Sequence, residues 1–158
     1  MRIKFRGNIL EIEDARIIYR NFSGAPSKFN REGDRNFAVI IPNEEIKDQL
    51  VEEGWNVKIK PPREDFDEPF MFIPVKVVFN SRGPAAYVRS GESVTRLNEE
   101  TIDMLDEIDI ASVDMDIRPY DWEVNGKTGR SAYLQAINVT QNVDRFGARY
   151  SEEGVEIN

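Results

Sequence analysis

Short runs of β-branched and aromatic residues, each cut off by Gly, Pro, Asn or Asp, recur roughly every ten to twenty residues along this chain. A sequence punctuated this way cannot supply the succession of helices that a parallel α/β sheet needs, so strands must carry the fold. Residues 9–12 and 15–22 predict one long strand bent at Glu13-Asp14. Residues 35–41 predict another, with Phe37, Val39 and Ile41 alternating onto one face. Between them, SGAPSKFNREGD (23–34) is too polar for a core and too long for a tight hairpin, which predicts a projecting loop. Asn43 then caps a short helix with Glu44 and Glu45 at its positive end. Ile46, Leu50 and Val51 share one face of it, and Gly54 stops it.

Residues 55–60 alternate Trp55, Val57 and Ile59 with Asn56, Lys58 and Lys60, a strand with one apolar and one basic face that ends at Pro61-Pro62. An acidic loop leads to an apolar strand over 70–79, in which Pro74 marks a bulge or an edge. The turn at 81–84 feeds 85–89 as its hairpin partner, and Asn98 opens a second short helix containing Ile102 and Leu105. Residues 110–122 alternate strongly, Val113, Met115 and Ile117 against Asp114, Asp116 and Arg118. Asn125-Gly126 is the strongest turn signal, with 130–141 as the return strand. The expectation is a mainly β fold: an OB-like five-stranded Greek-key barrel with one or two short helices and an extra hairpin. A chain of 158 residues suits one domain, here 1–150, followed by a frayed acidic tail over 151–158.

Two absences narrow the chemistry. With no Cys there is no disulfide framework, thiolate zinc site or thiol nucleophile, and with no His the commonest general base and metal ligand are missing. Ser-His-Asp and Cys-His catalysis are thereby excluded. No apolar stretch approaches the ~18 residues of a membrane span and the amino end lacks a leader's apolar middle, so the expected location is the cytoplasm, without membrane association. Gly126-Lys127-Thr128 looks like the end of a phosphate-binding loop, but that pattern needs Gly where Asp121 stands. Asp114 and Asp116 sit two apart on one strand face and suit a Mg²⁺ or Mn²⁺ nuclease; the plainer alternative is a solvated face over a buried one. No cofactor is expected.

The net charge of −8 argues against nucleic acid, yet the charge is segregated: residues 1–40 hold eight basic and five acidic side chains. Single-stranded nucleic acid is held by cations that follow phosphates and by aromatic rings on which bases stack. Both are interleaved here. The early loop and the strand after it carry Lys28, Phe29, Arg31 and Arg35, and Lys58 and Lys60 follow. A later hairpin carries Tyr87 and Arg89, and the last one Tyr120, Trp122, Lys127, Arg130 and Tyr133, with Arg145, Phe146, Arg149 and Tyr150 beyond. Trp55, Phe37, Phe72 and Phe79 read as core. Phe29, in a polar loop, either folds back onto the barrel or waits for a base.

The stretches DIRPYDW (116–122) and NGKTGRSAYLQAINV (125–139) resemble the closing hairpin of phage-type OB-fold single-stranded-DNA-binding proteins. There too, a strand ending in an aromatic pair turns through Gly-Lys-x-Gly into Ser-Ala-x-Leu-x-Ala. RNFAVIIP (35–42), with a helix at once after it, is similar to that group's second strand and helix entry. The resemblance implies sequence-tolerant binding of single strands in replication and recombination, with Trp122, Lys127, Arg130 and Tyr133 at or near the groove. It also implies an acidic tail that contacts partner enzymes and competes with DNA; here that tail is short, with three Glu and no terminal aromatic. Monomer and homodimer both remain open. The competing reading is an acidic interaction protein or DNA mimic, presenting residues 64–68 and 99–116 as one acidic face.

Overall fold

The bend expected at Glu13-Asp14 is the corner on which the architecture turns. In the computed structural model, which describes residues 1–61 and 69–143, strand β2 (Ile9–Ala15) and strand β3 (Ile17–Asn21) are separated only by Arg16. Asp14 takes a left-handed φ of 54°, and the pairing register with the strand alongside shifts between Ile12 and Ala15. This bulge sharpens the bend, and the Asp14 N–H, freed from the ladder, donates to Asp114 Oδ1 at 2.9 Å.

The remaining elements are β1 (Arg2–Arg6), β4 (Arg35–Ile41), helix α1 (Glu44–Glu52), β5 (Lys58–Lys60), β6 (Phe70–Val77), β7 (Ala85–Ser90), β8 (Ser93–Leu97), a 3₁₀ turn (Ile102–Asp106), β9 (Ile110–Val124) and β10 (Lys127–Gln141). Hydrogen bonding follows the path β1-β2-β9-β10-β6-β4-β3, antiparallel throughout except for the parallel contact of β10 with β6. The path does not close by pairing, but β2 and β3 are two halves of one bent strand, so it returns to the chain segment it passed. That is the plan of an OB-like barrel, with the bent strand, β4, β6, β9 and β10 as its staves. To it are added β1 on one edge, β5 beside β6, and the β7–β8 hairpin, whose Ala85–Arg89 portion lies parallel to Ala136–Thr140 of β10.

Alternation fills the barrel. Leu10 and Ile12 from β2, Phe37, Val39 and Ile41 from β4, Ile73, Val75 and Val77 from β6, and Val113, Met115 and Ile117 from β9 are all buried. Phe22 stacks on Phe37 with ring centroids 5.1 Å apart, and Ile102 and Leu105 bring the 3₁₀ turn into the same cluster. The β9–β10 turn is the one expected: Asn125 and Gly126 have φ of 51° and 77°, as a tight primed turn requires.

Several expectations need correction. The segment 55–60 is strand only at Lys58–Lys60; Trp55 is buried, but Ile59 is exposed, so the apolar face is not continuous. The 85–89 strand pairs with β8 and β10, not with β6. Asn43 Oδ1 does cap α1, accepting from the Ile46 N–H, but only Leu50 of that helix is buried and Val51 faces water. The second helix is a 3₁₀ turn, preceded by an Asx turn in which Asn98 Oδ1 accepts from Glu100 and Thr101. Strands β1 and β8 were unforeseen. The expected tail over 151–158, the cations and aromatics of 145–150, and the acidic stretch 64–68 lie outside the described residues.

Candidate nucleic-acid interface

On β6, burial of Ile73, Val75 and Val77 turns Phe72, Pro74 and Lys76 to the outside, and on β10 burial of Ala132 and Leu134 turns Ser131 and Tyr133 outward. Strand register then sets Asn36, Lys76, Tyr133 and Arg118 side by side across β4, β6, β10 and β9. The Tyr133 ring lies within reach of two cations, 5.7 Å from Lys76 Nζ and 5.2 Å from the Arg118 guanidinium carbon. Tyr120 meets it edge-on at 6.1 Å.

A groove of roughly 870 Å³ runs over this surface. One bank is the loop 23–34, with Phe29 and Arg31; the other is formed by Lys58 and the β9–β10 hairpin, with Trp122 and Arg130. OB barrels take their ligands on the face of the second and third strands, between the loop joining the first two strands and the loop joining the last two. Here those strands are β4 and β6, and those loops are 23–34 and the β9–β10 turn.

The loop is held in shape before any ligand arrives. Asp106 of the 3₁₀ turn accepts from the Phe22 and Ser23 N–H groups at 2.7 and 3.0 Å, fixing one foot of it. At its neck Gly33 N–H donates to the Gly24 carbonyl at 2.8 Å, and a Cβ on Gly24 would lie 2.9 Å from the Gly33 carbonyl carbon, so the two sides of the neck approach this closely only because position 24 is glycine; Gly33 is needed for its φ of 90°. Asn30 Nδ2 donates to the carbonyls of Ala25, Arg31 and Asp34. At the tip Phe29 is 92% exposed, with Lys28 Nζ 5.7 Å from its ring. Phe29 does not fold back.

The hairpin bank is equally built. Trp122 pairs across the ladder with Gly129, and a Cβ there would come 2.2 Å from Trp122 Cζ2, so the indole lies directly on glycine backbone. Arg130 donates to both oxygens of Asp121 and to the Glu53 carbonyl, with its guanidinium 5.2 Å from the Trp55 ring. The hydrogen bonds from Arg130 hold the Asp121 carboxyl below the ordinary carboxylate range and raise Arg130 further.

A family model described as "Putative phage ssDNA-binding domain" matches residues 2–156. The chain belongs to this family. Solved structures of the single-stranded DNA-binding protein from bacteriophage Enc34 share its fold. The C-terminally truncated form is 17% identical with a TM-score of 0.54, covering 88% of each chain. A second structure of that protein is 19% identical with a TM-score of 0.52, covering 90% of this chain and 86% of that one. The form in complex with ssDNA is 18% identical with a TM-score of 0.51, covering 90% and 91%. No curated protein sequence matches the chain.

Within this phage domain the residues singled out from sequence divide clearly. Phe29, Arg31, Arg35, Lys58, Trp122, Arg130 and Tyr133 line the one groove. Lys28 and Tyr120 touch its aromatic members, and Lys127 starts β10 beside the hairpin turn. Lys60 lies further along β5, donating to Tyr19 Oη at 2.9 Å. Tyr87 and Arg89 do not join: they pair with Asn138 and Thr140, at the other end of β10, and Tyr87 carries the Arg96 guanidinium 5.8 Å from its ring. Arg35, though it borders the groove, gives its Nε to the Phe22 carbonyl and reaches Glu99, so much of its donor capacity is spent inside the fold.

Sequence reasoning missed Lys76 and Arg118. Alternation from Val75 and Ile117 places each outside, but the aromatic ring between them arrives only through strand pairing. It also misplaced Phe72, which is half-buried on the outer face and is no member of the buried core. Both members of the acidic pair are engaged within the sheet. Asp114 accepts the Asp14 N–H, Asp116 faces Glu11 across the ladder, and among the described residues no group of three or more acidic side chains can hold an ion. No helix among the described residues is long and apolar enough to cross a membrane.

Proposed function

We propose that the groove over β4, β6 and β10 binds single-stranded DNA without sequence selectivity and performs no chemistry on it. The observation that carries this reading is the Tyr133 ring with Lys76 and Arg118 beside it, in the groove that Phe29 and Trp122 flank. Rings stack on any base, while Lys58, Lys76 and Arg118 follow the phosphates, so affinity is tolerant of sequence and falls with salt. Family membership and the ssDNA complex of a structural neighbour support the same ligand. The biological setting is phage replication and recombination in the host cytoplasm, with protein partners recruited through the acidic tail.

The test is tryptophan fluorescence during titration with oligothymidine at low and moderate salt, with a matching duplex as control. Trp122 lines the groove and Trp55 lies under Arg130, so saturable quenching by the single strand alone, weakening as salt rises, is the expected result. A flat titration together with no gel shift would remove the reading.

A further inference from the structure

The outer face of β6 carries a second aromatic group that the groove does not use. Phe70 and Phe72 stack with ring centroids 5.4 Å apart, and Tyr19 of β3 meets them at 6.2 and 6.1 Å. Lys60 Nζ lies 5.4 Å from the Tyr19 ring and 5.7 Å from that of Phe70. None of the three rings belongs to the buried core, so packing of the barrel does not explain them.

Tyr19 is held there at a cost. Its φ is +56°, a region that bulky residues rarely occupy, and the β3–β4 register shifts between Ile18 and Asn21, where it sits. A bulge of this kind re-aims a side chain, and strain is retained where the re-aimed group has work to do. Tyr19 remains 47% exposed.

The cluster is continuous with the groove. Lys58, on the bank, is the direct β5 partner of Phe72, and Phe72 is two residues from groove-lining Pro74 on the same face of β6. We infer that Tyr19, Phe70, Phe72 and Lys60 form a second base-stacking subsite, which extends the path of one single strand from the groove to the β3 edge and sets how many nucleotides the domain covers. The inference rests on the groove reading above: the occupant is the same DNA strand, with Lys60 placed for its phosphate.

The test compares wild-type, Tyr19→Asn, Tyr19→Phe and Tyr133→Ala protein on oligothymidines stepped from about 4 to about 16 nucleotides, the range one OB fold occupies. Asn removes the ring but accepts positive φ, so the fold is kept. The expected result is that Tyr19→Asn matches wild type on the shortest strands that bind and falls roughly 5- to 100-fold behind on the longest. Tyr19→Phe is expected to follow wild type, and Tyr133→Ala to weaken every length. Superimposable curves for Tyr19→Asn and wild type would overturn the subsite and leave the groove standing. So would an equal loss at all lengths, which marks a structural role, or a Tyr19→Phe curve that follows Tyr19→Asn. Wild-type protein that binds no strand of any length would overturn the groove reading itself.

Discussion

The outer face of β9 changes character within a few residues. At one end it presents Asp114 and Asp116, the second opposite Glu11; at the other it presents Arg118, Tyr120 and Trp122 beside Tyr133 and the groove. Beneath Asp114, Asp116 and Arg118 the inner face is one apolar row, Val113, Met115 and Ile117, so the change lies in the outward side chains. The difference teaches how a chain of net charge −8 can hold a polyanion. Phosphates respond to charges within about a Debye length, roughly 8–10 Å in physiological salt, so the local sign of a strand face outweighs the sum over the molecule.

The harshest way to break this contrast is to make the groove resemble the acidic end. Replacing Lys58 and Lys76 together by Glu places two carboxylates in the groove, on side chains that no ion pair among the described residues uses. Affinity for oligothymidine at moderate salt is expected to fall by about 100-fold or more, while circular dichroism and Tm stay near wild type. Each lost phosphate contact also flattens the dependence of log K on log salt by about 0.7 for a single strand. An unchanged affinity and slope would show that these lysines only keep the face wet.

A milder break acts on the hairpin bank. Gly129→Ala puts a methyl 2.2 Å from the Trp122 ring, with backbone behind it, so the indole must leave its seat. The expected outcome is a shifted tryptophan emission and an affinity loss of about 5- to 20-fold, within the range for one stacked base. Stability changes less, since the displaced ring is surface and not core. An emission spectrum identical to wild type would show that the indole does not depend on the glycine.

How much of this contrast was legible in the chain follows from what kind of interaction made each part. The β9–β10 hairpin was readable, because Asn125-Gly126 and the period-two alternation on both sides are local signals. The bend at Glu13-Asp14 was readable for the same reason. Strand β1 carries its own alternation, Ile3 and Phe5 against Arg2, Lys4 and Arg6, but over only five residues and with none of them fully buried. Strand β8 carries no alternation, with Leu97 its sole buried residue. The parallel pairing of β7 with β10 has no local signature, since parallel strands are joined through distant chain. In the candidate groove, Phe29, Lys58, Trp122 and Tyr133 are legible as single residues of a type that suits a strand. Lys76 is not, because it matters only through its register with Tyr133, and Tyr19 is not, because a positive φ leaves no mark in the sequence of a tyrosine.

The gentlest test removes one charge from the acidic end. Asp116 is partly buried opposite Glu11, and burial first, then that neighbouring carboxylate, pushes its pKa above the ordinary carboxylate value; Arg6, bound to Glu11, opposes this only in part. A folded-state pKa above the unfolded one means that the folded protein holds the proton more tightly. The stabilisation it contributes is therefore complete below the unfolded pKa and is lost as pH rises through the folded one. At neutral pH the ionised Asp116 is a small liability, and Asp116→Asn is expected to raise Tm by about 1–2 °C, a modest figure because the site is largely solvated. In acid, where Asp116 is already protonated, the gain should vanish. The same substitution removes a negative charge two residues along the strand face from Arg118, so ssDNA affinity at low salt is expected to rise by roughly twofold and to return to wild type as salt is added. A Tm gain independent of pH would place the effect in packing and not in charge, and an affinity that does not move would confine the acidic end of β9 to a structural role.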